Sequence, residues 1–168
     1  MEVQLVPATI EHQAVLENLL ELYLHDFSEF IDLSVGEDGR FGYEYLEEYW
    51  KPGNGRRAFL IRSDGRLAGF ALLQRGSEVS PDPEVLDVAE FFVLRGFRRA
   101  GIGLAAAHLL FRAYEGRWEV RVLESNAGAQ RFWPRVVEAF TSEFEQFVHR
   151  RGDEARPVTV FRFHSPPG

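Results

Sequence analysis

Polar and apolar residues alternate from Glu2 to Val6, the two-residue period of a strand with one buried face. Thr9 then precedes Ile10-Glu11-His12, and the apolar series Ile10, Ala14, Leu16, Leu19, Leu20 predicts a capped amphipathic helix. Its continuation, Tyr23–Phe30, is aromatic and acidic together. Residues Gly36–Gly39 break the pattern. A second aromatic–acidic segment, Tyr43–Trp50, closed by Pro52-Gly53-Asn54-Gly55, is expected to complete a helical first third. The middle reads as sheet: Ala58–Arg62, the turn Ser63-Asp64-Gly65 and Leu67–Leu73 predict a hairpin, with Asp-Gly as its turn signal. After the Pro-rich loop Ser80–Pro83 come a strand over Val85–Leu94, a helix from Ile102 to Tyr114 and a strand over Trp118–Leu123. A short helix opens at Asn126 and runs through Phe132-Trp133, with Pro134 inside its apparent span as a warning about its boundary. Strands around Phe144–His149 and Val158–Phe163 end the series. This order predicts a mixed α/β fold with parallel and antiparallel pairs in one sheet.

Composition narrows the class. A chain of 168 residues fits one domain, 1–168, and 45% hydrophobic with 14% aromatic residues is enough to build a core. There is no cysteine, which removes disulfides, thiolate metal sites and cysteine nucleophiles. His12, His108, His149 and His164 have no metal-like spacing, so no metal is expected. The longest apolar stretch, Ile102–Phe111, is too short to span a bilayer, and Met1-Glu2-Val3-Gln4 carries no leader pattern. A cytoplasmic protein without a membrane partner is therefore expected. The formal charge of −7 conceals a division: residues 1–50 carry 12 acidic side chains and one basic, Arg40, whereas residues 51–168 carry 14 acidic and 18 basic. Two electrostatic surfaces follow. The acidic balance and the lack of basic–aromatic interleaving argue against nucleic acid.

The most informative stretch runs from Val88 to Gly103. An apolar strand ends, Arg95, Arg98 and Arg99 follow, and Gly101-Ile102-Gly103 opens a helix. Free N–H groups at a helix start form an anion site, and glycines let the main chain approach phosphate oxygens. The forked guanidinium suits the same ligand. Gly101-Ile102-Gly103-Leu104-Ala105-Ala106 formally matches a dinucleotide fingerprint, with Glu119 or Glu124 as its ribose acid, which would make an oxidoreductase. Against it, six residues separate strand and glycine, only residues 104–168 remain for the rest of a doubly wound sheet, and a hairpin precedes the strand.

The other design is coenzyme A binding. Arg98-x-x-Gly101-x-Gly103 after an apolar strand resembles the pyrophosphate signature of the GNAT superfamily of N-acetyltransferases, and Asn126-x-x-Ala129-x-x-Phe132-Trp133 is similar to its second motif. The order of elements also fits, over nearly the whole chain. Tyr23–Phe30, Ala89–Val93 and Gly116-x-Trp118-Glu119-Val120 resemble a group of small bacterial predicted acetyltransferases. The resemblance implies a single-domain GNAT-like fold: a mixed, strongly twisted sheet flanked by helices, with a CoA-binding core at 85–137 and an acidic helical acceptor side at 1–55. It implies acetyl-CoA as cosubstrate. The amides of Arg99, Ala100, Gly101, Ile102, Gly103 and Leu104, together with Arg98, would hold its pyrophosphate. Phe92 and Val93 would pair with the pantetheine arm, and Asn126 and Phe132 would complete the contacts. Asn126 reads equally well as a helix cap.

The implied reaction is direct attack of an amine on the thioester, which calls for a base. Glu90 is the candidate, because it interrupts the apolar run Val88–Leu94; Asp87 is the alternative. Many superfamily members carry a tyrosine acid where this chain has Phe132 and Trp133. Protonation of the thiolate then falls to Tyr43, Tyr45 or water, or the chain binds acyl-CoA without turnover. Asp26, Glu29, Tyr43 and Tyr45 are the candidate acceptor contacts. The acidic first third points to a cationic small molecule or peptide amine. A monomer or homodimer is expected.

Overall fold

The computed structural model describes residues 1–152 and 156–168. Seven strands form one sheet: β1 (Val3–Pro7), β2 (Arg57–Ser63), β3 (Arg66–Arg75), β4 (Leu86–Val93), β5 (Gly116–Leu123), β6 (Phe144–His149) and β7 (Val158–Ser165), in spatial order β1-β2-β3-β4-β5-β7-β6. All neighbours are antiparallel except β4 and β5. Helix α1 (Gln13–Phe27) covers one face; α2 (Ile102–Ala113) and α3 (Ala127–Phe140) cover the other. Alternation along the strands divides the core accordingly. Leu60, Phe70, Leu72 and Phe92 pack with Leu16, Leu19 and Leu20 of α1, while Phe59, Leu73, Val88 and Trp118 pack with Leu110, Phe111, Val136 and Val137. The Asp-Gly hairpin forms as expected, with Asp64 at φ 48° and Gly65 at φ 75°, the paired positive angles of a tight hairpin turn.

Two expectations are corrected. Tyr43–Trp50 does not make a second α-helix; only a single 3₁₀ turn forms, over Leu46–Trp50. Gly42 at φ +72° precedes it and Pro52 follows, so the segment is too short to propagate a helix. The helix after Asn126 is not short: it holds Pro134 inside it and continues to Phe140. Burial of Trp133, Val136 and Val137 against the sheet outweighs the backbone hydrogen bond that proline cannot donate.

Two irregularities position the site. β4 and β5 pair only at Leu86–Trp118 and Asp87–Glu119 and then separate, so that residues 88–93 have β3 on one side and no strand on the other. In addition, the β3–β4 register jumps from Leu73–Val88 to Leu72–Glu90, leaving Ala89 as the extra residue of a β-bulge. Strict alternation from Val88 would have sent Glu90 to the α2–α3 face. The bulge turns it to the α1 face, opposite Leu72.

Candidate active site

Glu90 stands where the sheet has opened. Its Oε2 accepts the Tyr23 hydroxyl of α1, and its Oε1 accepts the Tyr43 hydroxyl at 3.1 Å. Burial pushes its carboxyl above the ordinary glutamate value, and the two phenols and the Arg121 guanidinium only partly offset this. The hydroxyls of Tyr23 and Tyr43 are themselves held well above the usual phenol range by burial and by the adjacent carboxylate. A carboxyl with raised proton affinity at the mouth of an opened strand pair can take a proton from a group brought beside it.

Asp87, the alternative base, is fully buried and committed elsewhere. It accepts from Arg121 Nε at 3.0 Å, Arg121 Nη2 at 2.7 Å and Gln74 Nε2 at 2.8 Å. Its register partner Glu119 is also fully buried and accepts from Arg162 at 2.8 and 3.0 Å. That pairing removes Glu119 as a ribose-binding acid.

At the end of β4 the chain makes a 3₁₀ turn over Arg95–Phe97 and enters α2 through Arg99 at φ +66° and Gly101 at φ +79°. Gly101 caps the helix in the left-handed region, a conformation that favours glycine. The first bond into the helix is Ala105 N–H to Gly101 O, at 3.0 Å. The N–H groups of Ile102, Gly103 and Leu104 therefore precede the helical ladder and face the loop. Arg99, Ala100 and Gly101 are exposed beside them. These donors fit an anionic phosphate group.

Arg95 and Arg98 are placed differently from the free phosphate ligands that the sequence suggests. Asp26, near the end of α1, accepts from Arg95 on one oxygen and from Arg98 on the other, both at 2.6 Å. Burial would raise the Asp26 carboxyl, but the two guanidiniums outweigh it and hold the group below the ordinary carboxylate value. Arg98 also donates from Nε to Val93 O at 2.7 Å and lies over the Phe92 ring. Asp26 is thus a clasp between α1 and the loop that enters α2. Phe92 is buried on the α1 face and Val93 packs toward α2.

The remaining sequence candidates are scattered. Asn126 is the N-cap of α3, its Oδ1 accepting from Ala129 N–H at 3.0 Å. Phe132 stacks on Phe91 and packs against Gly103, where an added Cβ would stand 3.1 Å from two ring carbons. No hydroxyl is present at that position. Tyr45 is 55% exposed and touches Tyr43 edge-on, and Glu29 is exposed. Sequence reasoning left Tyr23 without a role. Its signal was present, because Leu16, Leu20, Tyr23 and Phe27 share one helix face, which buries a hydroxyl that must then find a partner.

Between α1 and the loop after it lies a cavity of about 450 Å³, lined among others by Glu17, Glu21, Asp38, Glu44 and Glu47, with Arg40 as its one cation and Tyr43 in its wall. Among the described residues, no cluster of histidines and carboxylates is arranged to hold a metal ion, and no helix is long and apolar enough to cross a membrane.

The close packing at Gly103 makes a prediction. Gly103→Val drives its side chain into the Phe132 ring and displaces the first turn of α2, costing roughly 1–3 kcal/mol of stability. Thermal unfolding is expected to show this as a melting temperature lowered by roughly 2–12 °C. Gly96→Ala, whose added Cβ meets nothing within 4 Å, should leave the melting temperature unchanged.

The sequence matches the acetyltransferase (GNAT) family over residues 16–137. Comparison with curated proteins gives no match. Among solved structures, the fold is similar to an acetyltransferase from Thermus thermophilus, with TM-score 0.68, 17% identity, and 98% and 97% of the two chains covered. It is also similar to the ribosomal-protein-S18-alanine N-acetyltransferase from Escherichia coli (TM-score 0.62, 13% identity, 99% and 96% covered). A third similar fold is that of the spermidine/spermine N-acetyltransferase from Vibrio cholerae in mutant forms (TM-score 0.61, 13% identity, 98% and 95% covered).

Proposed function

The chain belongs to the acetyltransferase (GNAT) family, and from that premise we propose that it moves an acetyl group from acetyl-CoA to the primary amine of a cationic small molecule or peptide, with Glu90 as base. The observation that carries the reading is Glu90 itself, turned by a bulge to the α1 face where β4 has lost its parallel neighbour.

The amides of residues 102–104 and the exposed Arg99 would hold the pyrophosphate, and the main chain of Phe92 and Val93 would receive the pantetheine arm. When bound, acetyl-CoA supplies an activated acyl carbon, which the amine nitrogen attacks as the carbon–sulfur bond breaks. A cationic acceptor arrives as an ammonium and cannot attack until it is neutral. Glu90 takes that proton, a transfer favoured by the raised proton affinity that burial gives it. The second proton of the nitrogen is lost as the amide forms and balances the departing thiolate. Glu90 then returns its proton to solvent. Phe132 and Trp133 offer no hydroxyl, so neither can be the acid that protonates the sulfur.

Two of the similar structures are named for an alanine of ribosomal protein S18 and for spermidine and spermine. The five carboxylates around the cavity beside Tyr43 favour a positively charged acceptor. The test is a panel of neutral, acidic and cationic amines with acetyl-CoA, following release of free CoA. Cationic amines should be consumed fastest, by at least tenfold in kcat/KM. Faster turnover of neutral or acidic amines rejects the acceptor class. Acetyl-CoA binding with no turnover of any amine supports instead the reading, favoured by Phe132 in place of a tyrosine, of an acyl-CoA-binding protein on the same fold.

A further inference from the structure

Each oxygen of the Glu90 carboxylate receives a tyrosine hydroxyl, but the two tyrosines are held in different ways. Tyr23 belongs to α1, and its ring packs against Phe27, Phe70 and Phe92 at centroid distances of 5.4, 5.8 and 5.8 Å. Its hydroxyl is fixed on Oε2. Tyr43 comes from the stretch between α1 and the 3₁₀ turn that forms neither helix nor strand. Its ring lies at the edge of the α1-face core, its aromatic neighbour is Tyr45, itself 55% exposed, and its hydroxyl meets Oε1 at 3.1 Å. Tyr43 also lines the acidic cavity, so it stands between that cavity and Oε1.

We propose that the two tyrosines divide the work on Glu90: Tyr23 is a permanent donor that aims the carboxylate through Oε2, and Tyr43 is a place-holder on Oε1 that the ammonium of the acceptor displaces. The proposal rests on the reading of Glu90 as the base. A buried carboxylate oxygen without a donor is costly, so the vacant site needs Tyr43. An ammonium offers the same oxygen a charge-assisted bond, which is stronger than that of a neutral phenol. Exchange of one for the other therefore delivers the amine to the oxygen that takes its proton, while the Tyr23 bond keeps the carboxylate from turning away. Among the described residues, the other ionisable groups acting on Glu90 include Tyr49 from the 3₁₀ turn, Asp87 from its own strand and Arg121 from β5, and the two phenols alone hydrogen-bond it. In this arrangement Tyr43 competes with the acceptor and weakens its binding, as any occupant of a binding position does.

The test uses the full chain carrying carboxyl-13C glutamate, the Glu90 signal being assigned by its loss in Glu90→Gln, and n-butylammonium chloride as probe. In Tyr43→Phe the probe should perturb the Glu90 carbon with an affinity about 3–10-fold tighter than in the unaltered protein, the worth of one neutral hydrogen bond. In Tyr23→Phe the affinity should not improve, and the pH midpoint of the Glu90 carbon should rise further than in Tyr43→Phe. Weaker or unchanged binding in Tyr43→Phe, identical behaviour of the two variants, or no response of Glu90 to the probe in any of the proteins would overturn the proposal. Both substitutions keep the ring. Should either fail to fold, tyrosine-13Cζ labelling of the unaltered protein decides, because the Tyr43 carbon must shift on addition of probe while the Tyr23 carbon stays. Turnover by Glu90→Gln is read separately: a variant that acetylates amines at the original rate removes the base assignment, whereas the carboxyl titration still reports whether an ammonium replaces Tyr43.

Discussion

Glu90→Gln should lower kcat/KM for amine acetylation by about 10²–10⁴-fold at neutral pH, the usual worth of a positioned base, while leaving acetyl-CoA affinity within about twofold. Glutamine keeps the size of the side chain and can still accept from one of the two phenols, so the aromatic packing around it has no reason to move. What is lost is the site that receives the proton. The unaltered enzyme should gain activity as pH rises through the Glu90 pKa, which burial places above the ordinary glutamate value. In the variant that limb should disappear. Stability supplies an independent check. A carboxyl whose folded-state pKa exceeds its unfolded value contributes most to stability below the unfolded pKa, and that contribution is lost as pH rises through the folded pKa. Charged Glu90 is therefore a cost at pH 8, and Glu90→Gln should be at least as heat-stable there as the unaltered protein. A variant that loses activity and stability together would instead be losing structure.

The exchange of stability for chemistry at Glu90 was partly legible in the sequence. A lone carboxylate in the run Val88–Leu94 marks a charged group in an apolar strand, whatever the fold. Its direction was not legible, because the bulge at Ala89 is defined by register against β3, and register belongs to the pair of strands. The same distinction accounts for the arginines. Their number and place before Gly101 read correctly as positive charge at a helix start, yet two of the three are bound to Asp26, which lies 69 and 72 residues earlier. Asp26 itself reads from sequence as an acceptor contact because it belongs to the acidic third; the fold brings it to the opposite partner. Local signals fared best where the chain closes on itself, as at the Asp64-Gly65 hairpin and the Asn126 cap. They fell short where tertiary burial decides: Pro134 leaves the end of its helix open in the sequence, and Val136 and Val137 beyond it are fully buried and keep the helix going. The tyrosine pair on Glu90 combines both cases. Tyr23 could be placed on the buried face of α1 by period alone, but its partner lies 67 residues away.

Asp87→Ala should destabilise the protein by about 3–5 kcal/mol, because it strands a guanidinium rather than removing a base. Arg121 is 23% exposed and spends both of its best donors on Asp87; what remains to it is Glu78 at 3.8 Å. Gln74, which also donates to Asp87, loses its partner in the same step. For a domain of this length the melting temperature should fall by roughly 6–20 °C. Activity would fall with it, so the single variant cannot by itself separate a structural Asp87 from a catalytic one. The pair of substitutions Asp87→Leu and Arg121→Met separates them. Replacing both buried charges with apolar side chains of similar volume removes the stranded cation and should recover most of the lost stability. The effects of the two lost charges on Glu90 are opposed, since Asp87 raises its proton affinity and Arg121 lowers it. The acid limb of the pH–rate profile should therefore move little, and amine acetylation should return to within about tenfold of the unaltered protein. If Asp87 were the base, the double variant would melt normally and remain inactive. Thermal unfolding and initial rates on the same preparations decide between the two, and they do so without knowledge of the natural acceptor, because any amine that the unaltered protein consumes will serve.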